Sequence, residues 1–107
     1  MSKRIEDLKV VENKHINTDF YVLELQCDNE LPMIKPGQFV QVKVDGSPET
    51  FLRRPISIHD VDYKRNTVKL LIQVAGSGTL KLSQLRLGDM LNLVYPLGNS
   101  FSIPFLS

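Results

Sequence analysis

Phe51-Leu52-Arg53-Arg54-Pro55-Ile56-Ser57-Ile58 is the stretch from which the rest of the chain can be read. Two apolar residues lead into two guanidinium groups, a proline follows at once, and the apolar/polar alternation of a strand then resumes. Proline fixes its own φ and biases the residue before it toward extended backbone. Arg54 therefore enters the strand extended, with its planar donor fork presented in one direction, which suits a phosphate. On an alternating strand Ser57 shares a face with Pro55, and Arg53 takes the face opposite Arg54. Ser57 can then offer a small donor or acceptor near whatever the arginine holds. The same residues also fit an ordinary edge strand carrying two solvated arginines.

Working outward, Pro36-Gly37 launches Gln38-Phe39-Val40-Gln41-Val42-Lys43-Val44, the cleanest alternation in the chain, and Asp45-Gly46-Ser47-Pro48 turns it back. Residues 28–37, with Asp, Asn, prolines and a glycine, read as a loop. Residues 4–11 and 19–26 both fit strands; in the second, Tyr21, Leu23 and Leu25 recur at period two and face a core. Its other face begins apolar with Phe20 and Val22 and turns polar at Glu24 and Gln26, while residues 13–18 make a polar connection. Beyond the arginine stretch, residues 60–66 read as a turn and 67–74 as a strand with Val68, Leu70, Ile72 and Val74 on one face. Residues 90–94 form a last strand, and Tyr95-Pro96-Leu97-Gly98-Asn99 a tight exit. Strands thus arrive about every ten residues between turn signals, as in a closed or sandwiched antiparallel sheet. The fold class is all-β.

One segment breaks the rhythm. Leu82 and Leu85 follow Gly76-Ser77-Gly78-Thr79 at helical spacing, predicting a short helix from Thr79 or Leu80 to about Arg86, ended by Gly88-Asp89. Glycines let the backbone approach a ligand closely, Thr79 can cap the helix, and the first N–H groups of a helix attract anions. The chain therefore carries two phosphate-type devices, Arg54 on a strand and Gly78-Thr79 at a helix start. In a six-stranded barrel closed by one helix they can face each other. That implies a phosphorylated ligand and goes no further.

Composition narrows the classes. The 107 residues are the size of a single domain, and 42% hydrophobic residues bury a modest core. With 13 Lys+Arg against 12 Asp+Glu, the charge balance argues against a nucleic-acid or acidic-membrane surface. No apolar run approaches the ~18–20 residues that span a bilayer, and the N-terminus lacks the apolar core of a signal peptide. The lone Cys27 permits no internal disulfide and fits a reducing, cytoplasmic setting. No Cys/His cluster offers a metal site. His15 and His59 read as surface or strand residues, and Asp60 and Asp62 as turn carboxylates, so no acid/base catalyst stands out.

The motifs Arg54-Pro55-Ile56-Ser57, Gly76-Ser77-Gly78-Thr79 with Leu82-Ser83 and Gly88-Asp89, and Pro96-Leu97-Gly98-Asn99 together resemble the flavin-binding domain of ferredoxin reductase-like proteins. The resemblance runs from Pro36-Gly37-Gln38-Phe39 to Asn99-Ser100-Phe101, and is strongest to the electron-transfer branch of bacterial dihydroorotate dehydrogenases. It implies a six-stranded antiparallel Greek-key barrel that holds FAD. By position, Arg54, Pro55, Ile56 and Ser57 match the first flavin segment, with Arg54 on the diphosphate and Ser57 beside the reactive ring. Leu71, Ile72 and Gln73 match the second, along the ring and ribityl chain, and Gly78 and Thr79 the helix start that receives the diphosphate. The wider family usually has tyrosine where this chain has Ile56, a departure that points to the dihydroorotate branch. An aliphatic residue still covers a flavin face, without aromatic stacking.

In that branch a heterotetramer with the dihydroorotate dehydrogenase catalytic subunit carries electrons through a [2Fe–2S] centre to FAD and on to NAD, in pyrimidine biosynthesis. No second glycine-rich strand–turn–helix unit or cysteine cluster occurs here, so NAD and [2Fe–2S] binding are not carried onto these residues. Residues 1–100 are then expected to be the FAD barrel and residues 101–107 the start of a linker to a further region. With one wall of the flavin site outside the chain, FAD binding is expected to be weak. Apolar surface at Ile56 and Ile72 would then favour self-association. Two other readings stay open: the flavin module of a hydrogenase-type or ferredoxin–NADP electron-transfer subunit, and a small cofactor-free barrel of the kind that binds oligonucleotides.

Overall fold

The alternation of the sequence is realised as strand pairing on every side. A computed structural model describes residues 4–43 and 53–98. The expected turn at 45–48, Phe51 and Leu52, the last residue of the expected exit (Asn99) and the expected linker at 101–107 lie outside the described residues. The elements in order are β1 (Arg4–His15), β2 (Phe20–Gln26), β3 (Phe39–Val42), β4 (Arg54–Asp62), β5 (Thr67–Gln73), α1 (Ser77–Leu82) and β6 (Met90–Leu97). The strands close into a barrel in the order β1-β2-β5-β4-β3-β6, and every neighbouring pair is antiparallel. Closure removes the unpaired edges that an open sheet of this composition would expose.

The inward residues are those that the period-two pattern selects. Leu8, Val10, Tyr21, Leu23, Leu25, Val40, Val42, Val68, Leu70, Ile72, Leu91, Leu93 and Tyr95 fill the interior, with Leu82 of α1 packed on the same core. Burying each such side chain contributes on the order of 1.5–3 kcal/mol before entropy is counted.

β4 runs on through Asp62 and β6 through Leu97, where a turn from Asp60 and an exit from Tyr95 were expected, because both segments still find ladder partners in Thr67 and Phe39. Four further features depart from the sequence reading. First, β1 continues through Asn13 to His15, where a polar connection was expected. A bulge between Val10 and Glu12 shifts the register, and the polar residues beyond it have partners just past the C-terminal end of α1. Asn13 Nδ2 donates to the carbonyls of Ser83 and Leu85 at 2.9 and 2.8 Å, and His15 Nε2 lies 3.2 Å from the Ser83 carbonyl. Second, Glu24 is 1% exposed although it was assigned to the polar face. Its Oε2 accepts from Thr67 Oγ1 at 2.7 Å and pairs with Arg65 at 3.1 Å, so one oxygen of the buried carboxylate is partnered while Oε1 has no hydrogen bond among the described residues. Third, α1 starts at Ser77 and ends at Leu82, earlier and shorter than predicted. Gly76 is the N-cap, and Thr79 sits one turn inside. Fourth, Ile72 is 1% exposed, so the uncovered apolar surface expected there does not exist. Alternation sends Ile72 into the core with Val68 and Leu70, and leaves Leu71 outside.

Candidate functional site in an open barrel seam

Strands β4 and β5 pair from Asp62↔Thr67 through Val61↔Val68 and Asp60↔Lys69 to Ile58↔Leu70, and the pairing stops there. Both strands nevertheless continue, β4 back to Arg54 and β5 on to Gln73. Their outer flanks stay paired: residues 54–57 to β3 and residues 71–73 to β2. A slot with backbone edges on both sides therefore opens in an otherwise closed barrel. Its cause is local. A bulge between Ile58 and Asp60 bends β4, and Pro55 has no N–H to give to a ladder. Had the register continued, Ile56 would oppose Ile72 and Arg54 would oppose Val74, the residue that leads toward α1. The slot thus runs from the middle of the barrel to the helix start.

The expected site residues border this slot, in distinct roles. Arg54 stands opposite the buried Val42 and Ile56 opposite the buried Val40, so these two share the inner face; Pro55 and Ser57 stand opposite Gln41 and Phe39 on the outer one. Ile56 is half-buried against the core, while Arg54, Pro55 and Ser57 are exposed. A group lying along the edge of β4 can touch side chains of both faces. Neither the Arg54 guanidinium nor the Ser57 hydroxyl has a hydrogen-bond or ion-pair partner among the described residues. Across the slot Leu71 and Gln73 are exposed, whereas Ile72 can reach a ligand only through its backbone.

The helix start differs from the expectation in its chemistry. Thr79 Oγ1 accepts from the backbone N–H groups of Ala75 (2.8 Å) and Gly76 (3.2 Å), and the residue is 5% exposed. Its hydroxyl is committed to the turn, so Thr79 offers a ligand only its N–H. The first intrahelical bond runs from Leu80 N–H to the Gly76 carbonyl, so the N–H groups of Gly78 and Thr79 precede it. No acidic side chain lies in this first turn. Gly78 is buried in it. Gly76 has extended backbone (φ 174°) that any residue adopts, and a Cβ there would meet no atom within 4 Å. Close backbone approach is therefore not forced at Gly76 by this chain's own packing.

Side chains that sequence reasoning left out hold the helix in place. Besides Asn13 and His15, the Tyr21 hydroxyl donates to the Thr79 carbonyl, and burial pushes its pKa up. His15 stacks on the Tyr21 ring with centroids 5.6 Å apart. The signal was the polar residues of β1 spaced two apart, which had been read as loop. At the far end of the barrel, the Tyr95 hydroxyl donates to Glu6 Oε1 at 2.6 Å and Arg4 reaches that hydroxyl at 3.3 Å. Cys27, 4% exposed, lies 3.3 Å from both Glu6 Oε1 and the Tyr95 hydroxyl. Among the described residues no group of three or more His, Cys, Asp or Glu converges as a metal site, and no helix is long and apolar enough to cross a membrane.

Arg54 and the unpaired edges of β4 and β5 border the slot, and β5 leads through Val74 toward the start of α1. Comparison with known proteins identifies the family and the fold. A profile of oxidoreductase FAD-binding domains matches residues 7–101. The chain is 37% identical over 103 residues to the electron transfer subunit of dihydroorotate dehydrogenase B (NAD(+)) from Enterococcus faecalis, covering 96% of this chain and 39% of that one. It is 38% identical over 104 residues to the same subunit from Desulforamulus reducens, covering 97% and 39%. The chain thus spans about two fifths of the length of these relatives. Among solved structures, the barrel superposes on the ferredoxin reductase in carbazole 1,9a-dioxygenase with a TM-score of 0.80 at 20% identity, over 99% of this chain and 32% of that one. An NADH-dependent reduced ferredoxin–NADP oxidoreductase gives 0.78 at 24% identity, over 89% and 34%. These likenesses establish the fold.

Proposed function

We propose, from the premise that this chain belongs to the oxidoreductase FAD-binding domain family, that it holds FAD along the open half of the β4–β5 seam. We further propose that it is the FAD-binding part of the electron-transfer subunit of a dihydroorotate dehydrogenase. The observation that supports the reading is the seam itself: β4–β5 pairing ends at Ile58↔Leu70, and Arg54, beside the unpaired half, has no partner among the described residues. Once bound, FAD supplies the electron-transfer chemistry, and the protein binds, orients and screens it.

Each residue has a part in that task. Arg54 gives the diphosphate a charge-assisted, forked contact, and the N–H groups of Gly78 and Thr79 add donors at the positive end of α1. Ile56 offers an aliphatic surface from the inner face and Ser57 a hydroxyl from the outer one, beside Pro55. Leu71 and Gln73 present side chains across the slot, and Ile72 its backbone. No residue is assigned a proton-transfer role.

The dihydroorotate assignment rests on the names and similarity of the two subunits above. It implies a catalytic partner subunit in a heterotetramer, a cytoplasmic location, and NAD and [2Fe–2S] sites in the region beyond the matched residues. Residues 1–100 are then the FAD barrel, and residues 101–107 begin the link to that region.

Visible absorption of the purified full-length protein is the first test, followed by FAD titration if it purifies colourless. A flavin spectrum that bleaches on adding dihydroorotate only when the catalytic subunit is present supports the whole reading. Bound FAD with no such dependence would place the barrel in another electron-transfer system, of hydrogenase or ferredoxin–NADP type. A protein that takes up no FAD would be a cofactor-free barrel.

A further inference from the structure

The two adjacent arginines are treated differently by the fold. Arg54 is exposed and unpartnered among the described residues, but Arg53 is half-buried and anchored on the outer wall. Its Nη1 lies 3.4 Å from the Gln41 carbonyl and 3.4 Å from the Asn92 carbonyl, and its Nη2 donates to Asn92 Oδ1. Asn92 Nδ2 in turn donates to Asp7 Oδ1 at 2.8 Å. The orientation of the Asn92 amide is fixed by its neighbours, since a guanidinium only donates and a carboxylate only accepts. Gln41 is on β3, Asn92 on β6 and Asp7 opposite it on β1. A polar strap therefore runs from the residue before β4 across three further strands.

Its position gives it a purpose. Among the described residues, 54–57 lack pairing to β5 and are laddered only to β3, with one donor missing at Pro55. A strand start held on one side frays and samples many directions. The strap supplies the second hold, one residue from the side chain that must be aimed. It also keeps the Arg53 charge on the outer wall, away from the slot.

We propose that Arg53, through Asn92 and Asp7, is a positioning residue for the cofactor site: it fixes the start of β4 so that Arg54 points along the seam toward a diphosphate. The inference rests on the FAD reading above, and its test separates the two. FAD affinity and the melting temperature of the apoprotein are measured on the full-length protein for Arg53→Ala, Arg53→Lys, Asn92→Ala, Arg54→Ala and Arg53→Ala/Arg54→Ala. Losing most of a charge-assisted contact weakens FAD binding roughly tenfold. Arg53→Ala and Asn92→Ala should both show that loss with a small change in melting temperature. Arg53→Lys, which keeps one donor toward Asn92, should recover part of it. In the Arg54→Ala background the Arg53 substitution should add almost nothing, because it acts through the residue already removed.

If Asn92→Ala leaves FAD affinity unchanged, or Arg53→Ala costs the same factor with and without Arg54, the positioning role is wrong while the FAD reading stands. If neither wild type nor any variant binds FAD, both fall. Should Arg53→Ala fail to fold, Asn92→Ala carries the same decision alone, since it leaves both charges in place.

Discussion

The two ends of the barrel hold similar numbers of polar side chains and use them in opposite ways. At the end where β1 begins, Arg4, Glu6, Cys27, Asn29 and Tyr95 are bonded to one another. At the other, Tyr21 is bonded to α1 and Asn13 and His15 to the residues just after it, while Arg54 and Ser57 border the seam without partners among the described residues. The first set spends its bonding capacity largely within itself and reads as structure, whereas Arg54 and Ser57 are exposed beside the seam, where their donors can exchange water for a ligand. Where bonding capacity is left to solvent beside the seam, more than residue type, is what marks the candidate site here.

That contrast predicts effects that sort by end. The largest belongs to Gly78→Val: a branched side chain at a buried position in the first turn of α1 should remove FAD binding altogether and lower the melting temperature as well. Flavin content and thermal unfolding recorded on the same sample check it. Full occupancy with only a lowered melting temperature would make residues 76–79 a mere turn. Next is Arg54→Ala, which should cost roughly 1.5–3 kcal/mol of FAD binding with apoprotein stability unchanged. Arg54→Lys should regain part of that, since a point charge lacks the planar fork. Titration calorimetry reads both.

The sealed end should behave in reverse. Tyr95→Phe removes the hydroxyl shared by Glu6, Arg4 and Cys27 and should destabilise the fold by about 1–3 kcal/mol. FAD affinity should not move, as chemical denaturation and FAD titration together would show. A loss of affinity there would break the division between the ends.

The smallest effect is in pH dependence. Burial alone pushes the Glu6 carboxyl up, but hydrogen bonds from Tyr95, Asn29 and Cys27 and the Arg4 charge outweigh it and hold the pKa below the usual range. A depressed folded-state pKa gives stability that is complete above the unfolded value, near ~4.3, and is lost as pH falls through the folded one. Glu6→Gln should flatten that acid limb of the stability curve. Tyr95 is shifted the other way, chiefly by burial, so its contribution is complete below ~10 and declines as pH rises further. Tyr95→Phe should remove that alkaline decline.

The strands and the core were legible because alternation is strict where one face is buried: the pattern at Tyr21, Leu23 and Leu25 needed no tertiary information, whereas the Greek-key barrel was implied by the family resemblance. The arginine–proline stretch was legible as an extended entry for the same local reason. What stayed hidden depends on partners distant in sequence. Asn13 and His15 look like loop until the turn after α1 supplies carbonyls some seventy residues on. Glu24 looks solvated until Thr67 and Arg65 enclose it. The early start of α1 was missed because Thr79 caps from inside the first turn, reaching back to Ala75 and Gly76. Ile72 was assigned to core by periodicity and to ligand by resemblance; the fold sends its side chain to the core and leaves only its backbone at the seam.

The central claim is that FAD occupies the open half of the β4–β5 seam, and amide hydrogen exchange with and without FAD tests it most directly. The account predicts slowed exchange in residues 54–57 and 71–73 and at the start of α1, with the Arg4–Glu6 and Tyr95 end unchanged. Protection confined to the sealed end, or unchanged exchange along the seam while FAD is demonstrably bound, would contradict it.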